Sequence, residues 1–568
     1  MSQTERTSED DQAGTAGRER SAPAVIGVLG AGTMGAGIAQ LAARAGARTL
    51  LHDPLPEALE RGLERARDGL AKEAGKGRLT DEDARAAAEL LQPVDDLTAL
   101  APCELVIEAA PERLDLKHEL YRRLSEIVSE ECVLATNTSS MLVTAIAAAA
   151  THPERVVGMH FFNPAPVMRL LEVVAGEQSS AEALALARAA GEAMGKAVIR
   201  AHDGPGFLVN RCNRPFGLEA LRLLQERVAD IETIDRICRL EGGFRMGPFE
   251  LMDLVGVDTG FEVAKSFFEQ SFGEPRWRPS PITARYVAAG LHGRKSGRGY
   301  YDYRGDGSKA TQHRPEDPAP LEPRRPDHGE GVVVISGSGV LADELRASAT
   351  EVGYEVRTTT VPSGDVLPAL IIDCDCAGAR DEGLQAPAAG GRLGAQSTHG
   401  ARLLLCASGS LGALDPGGSA VGFHVLPPFG AAGLVELTRT DSSSPGAAAR
   451  AERFFGALGK HVAWVGDGPG LVLGRIVCQV INESAFALGE GVGDALDIDT
   501  GMVLGLSHPR GPLEWADAIG LEHVLAVLVS LCAEYGEERY RPAPALRRLA
   551  QAGRMGRVSG AGFFDYPS

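Results

Sequence analysis

The chain has 568 residues, enough for several domains of about 150 residues each. Its formal net charge is −19 with no basic cluster, which argues against nucleic acid or an anionic membrane as partner. Hydrophobic content of 44% suffices for globular cores, no apolar run of about 18 residues exists to span a bilayer, and nine scattered cysteines without metal-ligand spacing read as free thiols of a reducing cytosol.

Residues 1–23 are polar, lack an apolar signal segment and read as a disordered tail of a cytoplasmic protein. From Ala24, AVIGVLG reads as a buried strand, GAGTMGAG (Gly30 to Gly37) as a turn opening the helix GIAQLAARAG, and RTLLHD as a second strand ending at Asp53. A charged helical stretch follows, from about Glu57 to Leu91. ELVIEAAPE, CVLATNTSS and RVVGMHFF supply further strand-and-loop units. Alternating strands and helices predict an α/β fold, a Rossmann-type doubly wound parallel sheet over 24–202. Helical spacing then predicts an all-α domain over 203–303, and proline with charge marks 304–330 as a linker. GVVVISGSGVLADEL restarts the strand–turn–helix pattern, giving a degenerate Rossmann-like domain over 331–466 and a second helical domain over 467–568.

The second half is a diverged copy of the first. GPGFLVNR at Gly204 matches GPGLVLGR at Gly468, GPFELMDLVGVD at Gly247 matches GPLEWADAIGLE at Gly511, and His160 matches His424, each 264 residues on. GRKSGRGYYDY at Gly293 matches GRVSGAGFFDY at Gly556, at 263. From the first turn glycine to the histidine takes 130 residues in copy one and 87 in copy two. The charged helical stretch accounts for the deficit.

The glycine fingerprint carries chemistry because it follows a strand, opens a helix and is succeeded by an acid. Gly30 permits the tight turn, Gly32 lets backbone approach a pyrophosphate, and Gly35 allows close helix–strand packing. Asp53 would accept hydrogen bonds from ribose hydroxyls and repel a 2′-phosphate, favouring NAD over NADP. FAD shares the fingerprint but leaves the histidine unexplained. An isolated histidine is more often structural; the flanking Asn163-Pro164 and the strand-borne Glu172, twelve residues after His160, shift it towards a general base. A carboxylate in reach would fix its tautomer and stabilise the imidazolium.

GAGTMGAG, VIEAAPE, TNTSS, GMHFFNP, GPGFLVNR, GPFELMDLVGVD and GRKSGRGYYDY, in this order, resemble the L-3-hydroxyacyl-CoA dehydrogenase family over residues 24 to 303. The duplicated form is similar to the long bacterial 3-hydroxybutyryl-CoA or 3-hydroxyadipyl-CoA dehydrogenases, including the type found in phenylacetate degradation. The resemblance implies NAD-dependent oxidation of an (S)-3-hydroxyacyl-CoA, in fatty-acid or aromatic-acid breakdown. It casts His160 as base and Glu172 as its orienting partner. Ser139 and Asn210 become neutral hydrogen-bond groups around the substrate oxygens, and Asn163 positions nicotinamide and histidine. Glu112, Lys117 and Lys295 match cofactor-contacting positions, although on sequence alone all three read as surface charges. The stretch 57–91 corresponds to a helical arm over coenzyme A, with Lys76 as a contact and Lys72 one turn before it; both equally fit a solvated face. The family serine at that arm is Gly69 here, which puts one contact in doubt. No metal is implied.

Copy two keeps His424 and Glu436 but has Pro427 for Asn163, Gly474 for Asn210, Val558 for Lys295 and Ala342 for the third fingerprint glycine. It is expected to serve as a built-in partner, its helical domain packing on that of copy one as an intramolecular pseudo-dimer, with room for a further homo-oligomer. A dehydrogenase of a free 3-hydroxy acid such as a sugar acid, and a non-catalytic NAD-binding scaffold, are the alternative readings. A substrate with a ω-carboxylate would need an extra basic residue in an acyl pocket, whose residues the sequence does not mark.

Overall fold

The computed structural model describes residues 22–304, 316–324, 331–359, 368–376 and 400–567. Residues 1–21 of the expected tail, 1–23, and most of the expected linker, 304–330, lie outside the described residues. Two compact units result. One runs through Thr138 and resumes over Val143–Val198; the other is Ser139–Leu142 with Ile199–Ser568.

The first unit carries strands β1 (Val25–Leu29), β2 (Arg48–His52), β3 (Leu91–Pro93), β4 (Leu105–Glu108), β5 (Val133–Thr136), β6 (Val156–Phe161), β7 (Leu170–Ala175) and the start of β8 (Ala197–His202). The sheet order is β3-β2-β1-β4-β5-β6-β7-β8. Helices α1 (Thr33–Arg44), α2 (Pro56–Gly75), α3 (Asp81–Leu90), α4 (Leu114–Ile127), α5 (Val143–Ala147) and α6 (Ala181–Ala193) connect the strands. Near-continuous apolar strands such as Leu105–Glu108 are buried at every position, as expected for a sheet covered on both faces.

The sheet departs from the expected all-parallel one where β6 and β7 run antiparallel, because the chain doubles back over Phe162–Arg169 without a crossover helix. The charged stretch 57–91 is two helices. α2 buries Leu59, Gly62, Ala66, Leu70 and Glu73 along one face, and α3 restarts where the Thr80 hydroxyl accepts the Asp83 N–H at 3.0 Å.

The second unit begins with the helices α7 (Val209–Cys212), α8 (Arg214–Gln225), α9 (Ile231–Leu240), α10 (Pro248–Val255), α11 (Val257–Gln270) and α12 (Pro281–Ala288). A second sheet follows, from β9 (Val332–Ser336), β10 (Glu355–Arg357), β11 (Leu370–Asp373), β12 (Ala401–Leu405), β13 (Val421–His424), β14 (Leu434–Thr438) and β15 (His461–Trp464), in the order β10-β9-β11-β12-β13-β14-β15. It repeats the first order, without a counterpart of β3 among the described residues. With it are α13 (Val340–Glu351), α14 (Leu411–Leu414) and α15 (Pro445–Ala457), and then α16 (Leu473–Gly489), α17 (Ala495–Leu506), α18 (Pro512–Ile519), α19 (Leu521–Tyr535) and α20 (Pro544–Gln551). Part of the expected linker is held in place, since Asp317 accepts both Nε and Nη2 of Arg239, at 2.8 and 2.7 Å.

Within this unit α8 packs on α16, which is buried at every position from Leu473 through Ala487. Charges on and beside these helices are exchanged reciprocally between the two copies. Arg211 donates to Glu483 at 2.9 Å and Glu490 at 2.6 Å; Arg475, its repeat counterpart, donates to Glu219 at 2.9 Å and Glu226 at 2.6 Å. Glu219 and Glu226 are in turn the counterparts of Glu483 and Glu490. Residue i of one copy touches j of the other while j touches i, which is the signature of a two-fold relation. No single described helix is long and apolar enough to cross a membrane.

Candidate functional site

The antiparallel pairing of β6 with β7 sets His160 directly opposite Glu172. Opposed side chains on one face of such a pair start about 5 Å apart at Cβ, within reach of a hydrogen bond between an imidazole and a carboxylate. His160 Nδ1 lies 2.6 Å from Glu172 Oε2. Glu172 is wholly buried and His160 is 6% exposed. An ionised carboxylate only accepts, so Nδ1 carries the hydrogen and Nε2 keeps its lone pair.

The turn between the two strands is fixed by a lysine that sequence reasoning missed. Lys196 Nζ donates to the carbonyls of Ala165 at 2.6 Å and Met168 at 2.7 Å, and burial lowers its pKa to about 8. Lys460 does the same in copy two, donating to Phe429 and Ala432. The recurrence of a lysine at the repeat offset was the available signal. Asn137, also missed, accepts the Phe161 N–H at 2.8 Å and so ties the end of β5 to β6.

At the glycine turn, close contacts keep Gly30 and Gly35 small, and Gly32 faces open space. Gly30 has φ +90°, and a Cβ there would lie 2.6 Å from Ala109 O. A Cβ on Gly35 would lie 1.7 Å from Gly30 O. At Gly32 a Cβ would meet nothing within 4 Å, so the protein's own packing gives no reason for glycine there. Gly32 is the N-cap of the 12-residue helix α1 and provides no side-chain cap. Open space before uncapped helix N–H groups is what a pyrophosphate requires. Asp53 stands beside the turn, accepting Ala31 N–H at 2.8 Å and Leu55 N–H at 3.0 Å. These residues fit a bound dinucleotide.

Lys117 is not the surface charge its sequence context suggests. It is 1% exposed, with Nζ 2.6 and 2.8 Å from the two oxygens of buried Glu108 and 3.4 Å from Glu112. Glu108 also accepts the Thr136 hydroxyl and the Ala110 N–H. Its own signal was an acid closing the apolar strand LVIE. Glu112, 38% exposed, accepts the Thr138 hydroxyl at 2.9 Å. It, rather than the enclosed ammonium, has surface to offer a ligand.

The other expected residues are spread over both units. Asn163 is exposed in the β6–β7 turn. Lys72 is exposed on α2 and Lys76 lies just past its end; buried Glu73 between them bonds Gln40 and Arg44. A Cβ on Gly69 would lie 2.1 Å from Gln40 Oε1, so the position is small because α2 rests on α1 there. Ser139, Asn210 on α7, and Lys295 belong to the second unit. Lys295 is 49% exposed and pairs with Asp258 at 2.6 Å.

In copy two, His424 and Glu436 hold the same register across β13 and β14, but they are not hydrogen-bonded. Glu436 accepts the N–H groups of Val472 at 2.8 Å and Leu473 at 2.9 Å, while His424 Nε2 sits 3.0 Å from His523 Nε2. Burial lowers the pKa of both histidines, that of His523 to about 4. A Cβ on Gly474, where copy one has Asn210, would lie 2.1 Å from His424 Cε1. The glycine turn is also altered: Arg346 donates across it to the carbonyls of Ile335 and Gly337.

Residues 25–204 match the model of the 3-hydroxyacyl-CoA dehydrogenase NAD binding domain, and 206–303 and 470–566 both match that of the 3-hydroxyacyl-CoA dehydrogenase C-terminal domain. The chain is 37% identical over 526 residues, 92% of its length and 97% of the relative's, to a 3-hydroxyadipyl-CoA dehydrogenase of Escherichia coli. It is 41% identical over 278 residues, 49% of its length and 99% of the relative's, to a probable 3-hydroxybutyryl-CoA dehydrogenase of Deinococcus radiodurans. Among solved structures, a 3-hydroxybutyryl-CoA dehydrogenase from Escherichia coli matches with TM-score 0.76 at 34% identity, covering 93% of this chain and 98% of that one.

Proposed function

The chain belongs to the 3-hydroxyacyl-CoA dehydrogenase family, and from that premise we propose that His160 and Glu172 are the general-base pair of an NAD-dependent oxidation of (S)-3-hydroxyacyl-CoA to 3-oxoacyl-CoA. The observation that carries this reading is the buried 2.6 Å contact between His160 Nδ1 and Glu172 Oε2. Bound NAD supplies the acceptor for the hydride that leaves C3. His160 Nε2 takes the 3-hydroxyl proton as the C3–O double bond forms, and Glu172 holds the tautomer and offsets the imidazolium charge. In the reverse direction His160 returns the proton.

The remaining roles follow from chemistry and family resemblance. Gly30, Gly32, Gly35 and Asp53 hold the pyrophosphate and adenosine ribose. Glu112 faces the cofactor, positioned by Lys117 and Thr138; Asn163 and Lys295 complete the cofactor contacts. Ser139 and Asn210 donate to the substrate oxygens, and Lys72 with Lys76 attract the phosphates of coenzyme A. The setting we assign is cytoplasmic breakdown of fatty or aromatic acids, phenylacetate-type catabolism included.

We read the chain as two domain pairs, 24–202 with 203–303 and 331–466 with 467–568, of which only the first is catalytic. The second helical domain acts as an intramolecular partner of the first. Support for this comes from the reciprocal pairs of Arg211 and Arg475, from the His523 ring that meets His424, and from the Val472 and Leu473 N–H groups that hold Glu436.

NADH formation from 3-hydroxybutyryl-CoA and from free 3-hydroxybutyrate tests the activity. Turnover of the thioester alone is expected. Preference for the free acid would move the enzyme to hydroxy acids, and turnover of neither would leave an NAD-binding scaffold.

A further inference from the structure

The first helical domain contains a cavity of about 140 Å³, enough for several methylenes rather than a single water. Its lining is mainly apolar, with Leu221, Met252, Val257 and Phe261 among the walls and Arg214 as its one charged member. Arg214 opens α8 and packs its guanidinium 4.8 Å from the Phe267 ring centroid. Its Nε is buried without a hydrogen-bond partner, and no carboxylate of the described residues pairs with it. Burial alone, with no compensating charge, lowers its pKa to about 10. Arg214 as a whole is part-buried and lines the cavity.

Arg211, three residues earlier, shows what the fold does with a structural arginine. It meets two carboxylates, Glu483 and Glu490. A cation kept in an apolar wall and left unpaired is costly, and an anion entering the cavity would remove that cost. Arg214 also stands four residues after Asn210, and Asn213 between them keeps helical dihedrals. Side chains at that spacing share a helix face, about 6 Å apart. That is the span of a few bonded carbons.

We propose that this cavity receives the far end of the acyl chain and that Arg214 binds a carboxylate there, selecting dicarboxylic 3-hydroxyacyl-CoA substrates over chains that end in methyl. The proposal rests on the dehydrogenase reading above and on Asn210 as a contact to the substrate oxygens. The planar guanidinium suits a carboxylate, which it can meet with two parallel N–H groups. Met252, Val257 and Phe261 would cover the intervening methylenes.

The test uses the full chain with two six-carbon substrates, 3-hydroxyadipyl-CoA and 3-hydroxyhexanoyl-CoA, which differ only in the terminal carboxylate or methyl. The wild type should favour the first by at least about tenfold in kcat/KM. Arg214→Met should cut that ratio by about 10- to 100-fold, the range set by a lost charged hydrogen bond. Arg214→Gln, which keeps polarity without charge, should shift the ratio the same way and serves if the methionine variant does not fold. Arg214→Lys should fall between. Wild-type turnover of both substrates without preference for the carboxylate overturns the proposal and leaves the dehydrogenase reading standing, as does an equal loss on both in the variants. Wild-type turnover of neither overturns both.

Discussion

Glu436 stands directly across the sheet from His424, yet it commits its two carboxylate oxygens to the backbone N–H groups of Val472 and Leu473. His160 and Glu172, in the identical register, are bonded at 2.6 Å. The difference originates at Gly474. Without a side chain there, the His424 ring occupies the space and turns to His523. A base held this way has lost its orienting acid.

The working pair gives the first prediction. His160→Gln should lower kcat by roughly two to four orders of magnitude with NAD affinity nearly unchanged, because proton transfer is lost and cofactor contacts are not. NADH absorbance gives the rate and a cofactor titration gives the affinity. Wild-type turnover by this variant would sink the assignment.

Cofactor choice should follow Asp53. The wild type should favour NAD over NADP by at least about tenfold in kcat/KM, because a 2′-phosphate would meet a carboxylate. Asp53→Ser should narrow the ratio. Equal use of the two cofactors by the wild type would show that Asp53 is not at the ribose.

The second copy should be dispensable for chemistry and needed for integrity. His424→Ala is expected to change activity by less than about twofold, with any loss traceable to stability. NADH titration should find one site per chain. Deleting residues 331–568 removes Glu483, Glu490 and the apolar cover of α8, and should yield an aggregating or newly dimeric protein. A soluble, fully active monomer would contradict the partner role.

Stability should fall as pH rises from the ordinary carboxylate range through the raised values of several buried acids. Glu241 and Glu436 are buried side by side, and burial raises the pKa of both above the ordinary 4.5. Between that value and the raised one, the folded chain keeps a proton that the unfolded chain releases. The stabilisation is therefore complete below about 4.5 and is lost as pH rises through the folded values. Asp235 and Asp499, both raised to about 7 by burial, slope the same way. The buried His523, lowered to about 4, slopes oppositely below its ordinary 6.5. Thermal unfolding should show a melting temperature that drops from about pH 6 to pH 9, by a smaller amount in Glu436→Gln. An unchanged alkaline slope in that variant would exclude the pair as its source.

Much of this was legible in the linear chain because it depends on near neighbours. A strand, a G-x-G-x-x-G turn and a helix need only local backbone geometry, and so Gly30, Gly32, Gly35 and Asp53 fall where their spacing places them. Twelve residues of strand, turn and strand suffice to oppose His160 and Glu172. The repeat offset pointed to a second copy without any structure, and one C-terminal domain model matches both 206–303 and 470–566. The antiparallel turn at β6–β7 and the break between α2 and α3 were smaller matters of local chain reversal and capping.

Only the tertiary structure decided which side chains are paired. Lys117 reads as a surface charge until β4 brings Glu108 beneath it. His424 and Glu436 read as a surviving pair until Val472, Leu473 and His523, distant in sequence, come to claim each partner. Arg211 and Arg214 are three residues apart and alike in composition, yet one meets two glutamates of the second copy and the other faces a cavity. Hydrogen bonds and ion pairs of buried charges are set by whatever the fold delivers within about 3 Å, and no local spacing encodes that.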